Sequence, residues 1–264
     1  MIGQKNNIQT LIRWRCNKSV PRFIIIAGDE GSGRLTFAKA IMNMLHITGI
    51  ISECKIEDVR RTIEYAYEYT APMMYIFRNA DDMSVAAKNA LLKVVEEPPN
   101  NAYFIMTVHN IDNMLGTIKS RGTVIKMEPY TIEELRSVCK DEILLEYCSN
   151  IGQLHIEKSE LQKAENCVDD VLKALEERSG TKLLKACTQL KSKQTETDKI
   201  DGLLFMRVFQ KRFYKIYDFC NISTASLNYI TECKNQLNRN AINKKASIEC
   251  MFIKLLEDIK NEAC

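Results

Sequence analysis

Gly28, Gly31 and Gly33, in GDEGSGRLT, follow the short apolar run FIIIA and precede a helical pattern that continues to Leu45. Strand, glycine loop and helix in that order make a phosphate-binding loop. Small residues let backbone N–H groups converge on a polyphosphate at a helix start, a lysine reaches the terminal phosphates, and a hydroxyl holds magnesium. Here Arg34 stands in the lysine place and Leu35 in the hydroxyl place, with Thr36 one position late. A guanidinium is broad and planar and enters a tight cradle poorly. Hydrolysis also needs two acidic groups at the tip of a neighbouring strand, one for the metal and one for the attacking water. After the apolar run MMYIF stand Arg78 and Asn79, and a positive charge works against a divalent cation that needs an anion. The two defects agree. Turnover of ATP by this chain is not expected, no metal or cofactor is assigned to it, and the glycines are left the role of a tight strand-to-helix turn. The rival reading is an active ATPase in which Arg34 and Thr36 take over the work of lysine and hydroxyl.

The elements that must position these residues follow from apolar periodicity. MMYIF at 73–77, AYFIMTV at 102–108 and TVIKM at 123–127 join FIIIA as candidate buried strands, with helical patterns at 56–68 and 84–97 between them. Pro98 and Pro99 stop the second of these, since proline donates no helical hydrogen bond and restricts the residue before it. Strands alternating with helices predict an α/β unit with a parallel sheet covered on both faces. After Pro129 the patterns are helical only, broken at 149–152, at Ser179-Gly180 and in the polar run KSKQTETDK at 191–199. The expected division is 1–128, 129–164 and 165–264.

At 264 residues the chain has room for two or three compact units. Its net charge of +3 argues neither for nor against nucleic acid. Residues 1–22 hold Lys5, Arg13, Arg15, Lys18 and Arg22 with no acidic residue, which suits phosphate, an acidic partner or a solvated helix face. Ten scattered cysteines without a CxxC pair, behind polar first residues, read as reduced thiols in a cytoplasmic protein. No run approaches the ~18 apolar residues of a membrane span. The segment 203–220 places Arg207, Lys211 and Lys215 on one helical face, with Leu204, Val208 and Phe219 toward a core.

ADDMSVAAKNALLKVVEEPP at 80–99 and TIKSRG at 117–122, with IGQ at 2–4 and IEDVR at 56–60, resemble the AAA+ module of bacterial clamp loaders, most of all their delta-prime subunits of DNA polymerase III. SNIGQL at 149–154 and LNRNAINKKASIECMFIKLL at 237–256 are weaker likenesses to the lid and collar of that family. The resemblance implies an AAA+ P-loop core, a small helical lid at 129–164 and an all-α collar at 165–264 that joins subunits into a ring. It also implies a rigid, non-catalytic subunit that lends Ser120 and Arg121 to ATP held by a neighbouring motor subunit, because an arginine supplied across an interface stabilises charge on a transferred phosphoryl group. The competing role for Arg121 is an intramolecular salt bridge. The implied partners are the motor subunits and the clamp-opening subunit, with primer-template DNA and the sliding clamp met through the complex; Lys88 and Lys119 are candidate contacts to the duplex backbone. ATP and magnesium belong on the neighbours. Gly122 stands where the family has cysteine, and the short stretch from Leu45 to Ile56, with Cys54 alone, leaves no zinc insertion. The family's polar sensor falls near His109 or Asn110 and its lid arginine near His155, neither of which is given a chemical role. A free-standing DNA-binding helical protein that has merely kept the α/β module is the third reading.

Overall fold

A computed structural model of the chain describes residues 2–192, 196–216, 223–237 and 243–261. It contains two compact units: Met1–Lys140 with Ser149–Leu154, and Asp141–Cys148 with His155–Cys264. The segment 129–164, read above as a lid, is divided between them.

The first unit is built on five parallel strands, β1 (Phe23–Ala27), β2 (Thr48–Ser52), β3 (Met73–Phe77), β4 (Ala102–Val108) and β5 (Thr123–Lys126), in the order β2-β3-β4-β1-β5. The side chains of β1 alternate cleanly between two cores. Ile24 and Ile26 join Leu11 of α1 (Lys5–Asn17) and Phe37, Ala38 and Ile41 of α2 (Arg34–Leu45). Phe23, Ile25 and Ala27 join Val59 and Ala66 of α3 (Ile56–Glu68) and Ala87, Leu91, Val94 and Val95 of α4 (Val85–Glu96). Every residue of β1 is buried, as a central parallel strand requires. The register Ala27↔Val108 and Ala27↔Lys126 brings the carboxyl ends of β1, β4 and β5 to one level. The connection from β1 runs toward β2 and the connection from the adjacent β4 runs the other way to β5, the kind of switch point where open α/β sheets bind ligands.

Four strands and the intervening helices match the sequence pattern to within a residue or two. β2 is the addition. Thr48–Ser52 is an edge strand with only Ser52 buried, so its apolar content is too low to mark it. Ser84 caps α4 by accepting from the Ala87 N–H, and the helix ends before Pro98. A short helix α5 (Gly116–Lys119) precedes β5, and α6 (Ile132–Arg136) opens with a capping box between Thr131 and Glu134.

The second unit is helical, as expected: α7 (Glu142–Tyr147), α8 (Lys158–Glu176), α9 (Gly180–Cys187), α10 (Gly202–Ile216), α11 (Thr224–Leu237) and α12 (Lys244–Asn261). Phe209 of α10 meets Phe252 of α12 edge to face at 4.9 Å, and Phe205 meets the same ring at 5.9 Å. Arg212 of α10 holds Glu165 of α8 at 2.9 Å, pairs with Asp169, and reaches the Tyr147 hydroxyl of α7 at 3.4 Å. Burial works against the Arg212 charge, but the bonds to Asp169 and Tyr147 outweigh it and raise the pKa. Leu190 and Ile200 form a parallel bridge on either side of the polar run 191–199. Leu204 and Val208 are buried, whereas Phe219 lies outside the described residues.

Candidate functional site

Gly31 and Gly33 adopt φ +81° and +90°, the left-handed conformation that lets the chain turn from β1 into α2. The carbonyls that the loop exposes are taken by the chain itself. Asn150 Nδ2 donates to Glu30 O at 2.8 Å and the Gly152 N–H donates to Gly31 O at 3.0 Å. The fit is close: a methyl on Gly152 would lie 2.4 Å from Gly31 Cα, and one on Gly31 would lie 2.4 Å from Asn150 Oδ1. Tyr130 adds a hydroxyl bond to Ser32 O at 3.2 Å.

Arg34, at the first position of α2, is buried, Leu35 is half-buried and Thr36 is exposed. Positions 34 and 36 lie about 200° apart around a helix, so Arg34 and Thr36 do not share a face. Burial lowers the Arg34 pKa, and the negative charge of Asp81, followed by Glu30 and Asp29, holds it up in part. Ser32 Oγ and Arg34 Nη1 are buried without a hydrogen-bond partner. These two donors suit a small anion. A guanidinium nitrogen cannot ligate magnesium, and residue 35, where the loop pattern places the hydroxyl, is a leucine.

At the end of β3, Arg78 is exposed and Asn79 turns through φ +51° while its N–H donates to Thr107 Oγ1 at 3.1 Å. The carboxylate that matters lies two residues further on. Asp81 Oδ2 accepts from the His109 and Asn110 N–H groups at 3.0 and 3.2 Å, and Asp81 Oδ1 faces His109 Nδ1 at 3.5 Å. The Asp81 side chain is only 4% exposed. Burial pushes its pKa up, but the bonds from His109 and Asn110 outweigh this and carry it below the ordinary 3.8. Lys88, also buried, donates to Asp81 O at 2.9 Å and Asn113 O at 3.0 Å. A lysine so placed is not available to a DNA phosphate, which removes one of the two duplex contacts expected above; the other, Lys119, pairs with Asp112 at 3.7 Å. Asp81, Asp82 and His109 bring three potential metal-ligating atoms within 4.8 Å. With Lys88 and Arg34 supplying counter-charge, the trio reads as the tie between the exits of β3 and β4. A cleft of about 430 Å³ opens beside it, lined by Gly28, Asp29, Ser32, His109, Asn110 and Tyr130 among others.

Ser120 and Arg121 are exposed just after α5. Arg121 Nη1 donates to Thr117 O at 2.7 Å, and Nη2 pairs with Glu96 Oε1 at 2.8 Å. The intramolecular salt bridge named as the competing role is therefore present. The fold does not bring Ser120 and Arg121 into the site formed by the loop and Asp81.

A family described as DNA polymerase III, delta subunit, matches residues 46–131. That span runs from before β2 to the start of α6 and includes both Asp81 and Arg121. The delta' subunit of DNA polymerase III from Haemophilus influenzae is 31% identical over 38% of this chain and 32% of its own length. Over these spans the chain is similar to clamp-loader subunits, delta-prime among them, and the sliding-clamp-loader large subunit of Escherichia phage RB69 is 29% identical over 50% of this chain and 44% of its own length. The chain thus spans about half or less of the length of these curated relatives. Among solved structures, a DNA polymerase III gamma-subunit-related protein of Thermotoga maritima superposes with a TM-score of 0.51 at 14% identity, over 94% of this chain and 99% of that one, a likeness of fold.

The IGQ motif has a local reason. Gln4 is buried, donates to Glu128 O at 2.7 Å and accepts from the Glu128 N–H at 2.9 Å, which ties the start of α1 to the exit of β5. Asp81 and Asn150 are the residues that sequence reasoning passed over. Both lie inside quoted motifs, ADDM and SNIGQL, but neither spacing says which backbone groups their side chains meet.

Proposed function

We propose that this chain is a clamp-loader subunit acting in DNA replication, that it does not itself turn over ATP, and that it lends Ser120 and Arg121 to nucleotide held by a neighbouring motor subunit. The observation that carries the reading is the residue set around the glycine loop: Arg34 is buried with the negative charge of Asp81 acting on it, residue 35 is a leucine, and Arg78 and Asn79 stand where acidic groups would be needed. Arg121, by contrast, sits on the surface of the α/β unit with N–H groups to spare. Its proposed partners are the motor and clamp-opening subunits, with DNA and the sliding clamp engaged through the assembly. A cytoplasmic setting suits the buried thiols of Cys167, Cys187 and Cys233, which form no disulfide. Among the described residues no helix is long and apolar enough to cross a membrane.

The test is a reconstituted loader. Arg121→Ala is expected to leave the complex assembled and to lower its DNA- and clamp-stimulated ATPase several-fold, the loss expected when a transition-state contact is removed. The isolated chain is expected to show no magnesium-dependent hydrolysis. Turnover by the isolated chain that Arg34→Ala abolishes would establish the active-ATPase alternative instead.

A further inference from the structure

The EEPP run closes α4 and places Glu96 against Arg121. Glu96 is the last residue of α4, held there because Pro98 forbids the helix from continuing. Val94 and Val95 of that last turn share a core with Ile118 of α5, so α4 and α5 are locked side by side beneath the surface. Above that contact, Glu96 Oε1 takes Arg121 Nη2 at 2.8 Å while Thr117 O takes Nη1 at 2.7 Å. Both terminal nitrogens of the guanidinium are thus engaged from one side. Two bonds to one planar group restrict its orientation while Arg121 stays exposed at the surface.

We infer that Glu96 is a positioning residue: it orients the Arg121 guanidinium before the neighbouring subunit arrives. This rests on the reading of Arg121 as a residue donated in trans. The pair is exposed, Arg121 at 36% and Glu96 at 43%, and such pairs add little to stability. Its value lies elsewhere. A free arginine must surrender many rotamers when it meets a phosphate, and holding one long side chain in advance is worth about two- to tenfold in rate. The pair also explains why the two motifs travel together in this sequence: EEPP sets the acceptor and TIKSRG sets the arginine that uses it.

Five loaders decide the matter, each checked for assembly: wild type, Glu96→Ala, Glu96→Gln, Arg121→Ala and the double variant Glu96→Ala with Arg121→Ala. Steady-state ATPase is measured against ATP concentration with clamp and primed DNA present. Glu96→Ala is expected to lower kcat about two- to tenfold with KM unchanged, because ATP itself is held by the motor subunit. Glu96→Gln, which keeps an acceptor oxygen at the same reach, is expected to restore most of that loss. The double variant Glu96→Ala with Arg121→Ala should be no worse than Arg121→Ala alone, since the two act as a unit. If Arg121→Ala lowers kcat while Glu96→Ala leaves it unchanged or raises it, the positioning role is overturned and the trans-acting arginine stands. Failure of Glu96→Gln to rescue overturns the hydrogen-bonded placement. An Arg121→Ala loader at wild-type rate overturns both readings together.

Discussion

Asp81 shows how one carboxylate can do structural work at a site whose nucleotide-handling residues have changed. Its Oδ2 accepts from both the His109 and Asn110 N–H groups, its Oδ1 faces the His109 ring, and its backbone carbonyl holds Lys88. Buried, charge-assisted bonds of this kind are costly to lose, so Asp81→Ala is expected to destabilise the α/β unit by about 2–4 kcal/mol at neutral pH. The folded pKa lies below the ordinary value, so the carboxylate's contribution is fully present above about pH 4 and is lost as pH falls through the folded value. Urea unfolding at pH 7 and pH 3 checks both points. The gap between wild type and variant should narrow in acid, and a constant gap would remove the charged carboxylate as its cause. Of the residues in this site, the sequence disclosed the glycines, Arg34, Arg78 and Asn79 through a motif of known spacing. It did not disclose Asp81, because a carboxylate that meets backbone N–H groups 28 and 29 positions away leaves no local signature.

At the level of elements, the three buried strands were legible, and of the two largely exposed edge strands β5 was read and β2 was not. FIIIA, MMYIF and AYFIMTV are apolar because both faces of a central parallel strand are covered. TGIIS at the sheet edge needs no such composition, since pairing with β3 is done by the backbone. The packing of SNIGQL against the glycine loop is a second case. Its glycine looks like any helix-breaking residue until Gly152 is seen with its N–H on Gly31 O and no room for a side chain. Gly152→Ala is accordingly expected to cost about 1–3 kcal/mol, because the clash is with backbone. Hydrogen exchange would report it: the Gly152 amide should lose protection in the variant while the amides of β1 and β4 keep theirs. Equal loss everywhere would mean that the loop contact is inseparable from the sheet. Lys88 carries the same lesson in reverse. Read along α4 it is a solvated cation, yet the turn at Asp81 and the segment at Asn113 enclose it.

For the molecule as a whole, the cysteines give the clearest physical test. Burial pushes the thiols of Cys54, Cys167, Cys187 and Cys233 up to about 12, whereas Cys16 and Cys250 are exposed. Alkylation of the native chain at pH 8, followed by peptide mass spectrometry, should label Cys16 and Cys250 at least about a hundredfold faster than Cys167, Cys187 and Cys233, which react only when the helical unit opens. Rapid labelling of those three would contradict the core described for α8, α9 and α11. By itself the sequence determined the class of each half, the order of the central elements, and the presence of Arg34 and Leu35 at the glycine loop and of Arg78 and Asn79 at the end of β3. Periodicity and motif spacing are local, and local patterns are what a linear chain records. Only the tertiary structure decided that Asn150 and Gly152 close the glycine loop, that Asp81 ties two strand exits, and that Glu96 and Arg121 meet. Each of those contacts depends on the register of a sheet or the packing of two helices, which brings together residues that the chain keeps apart.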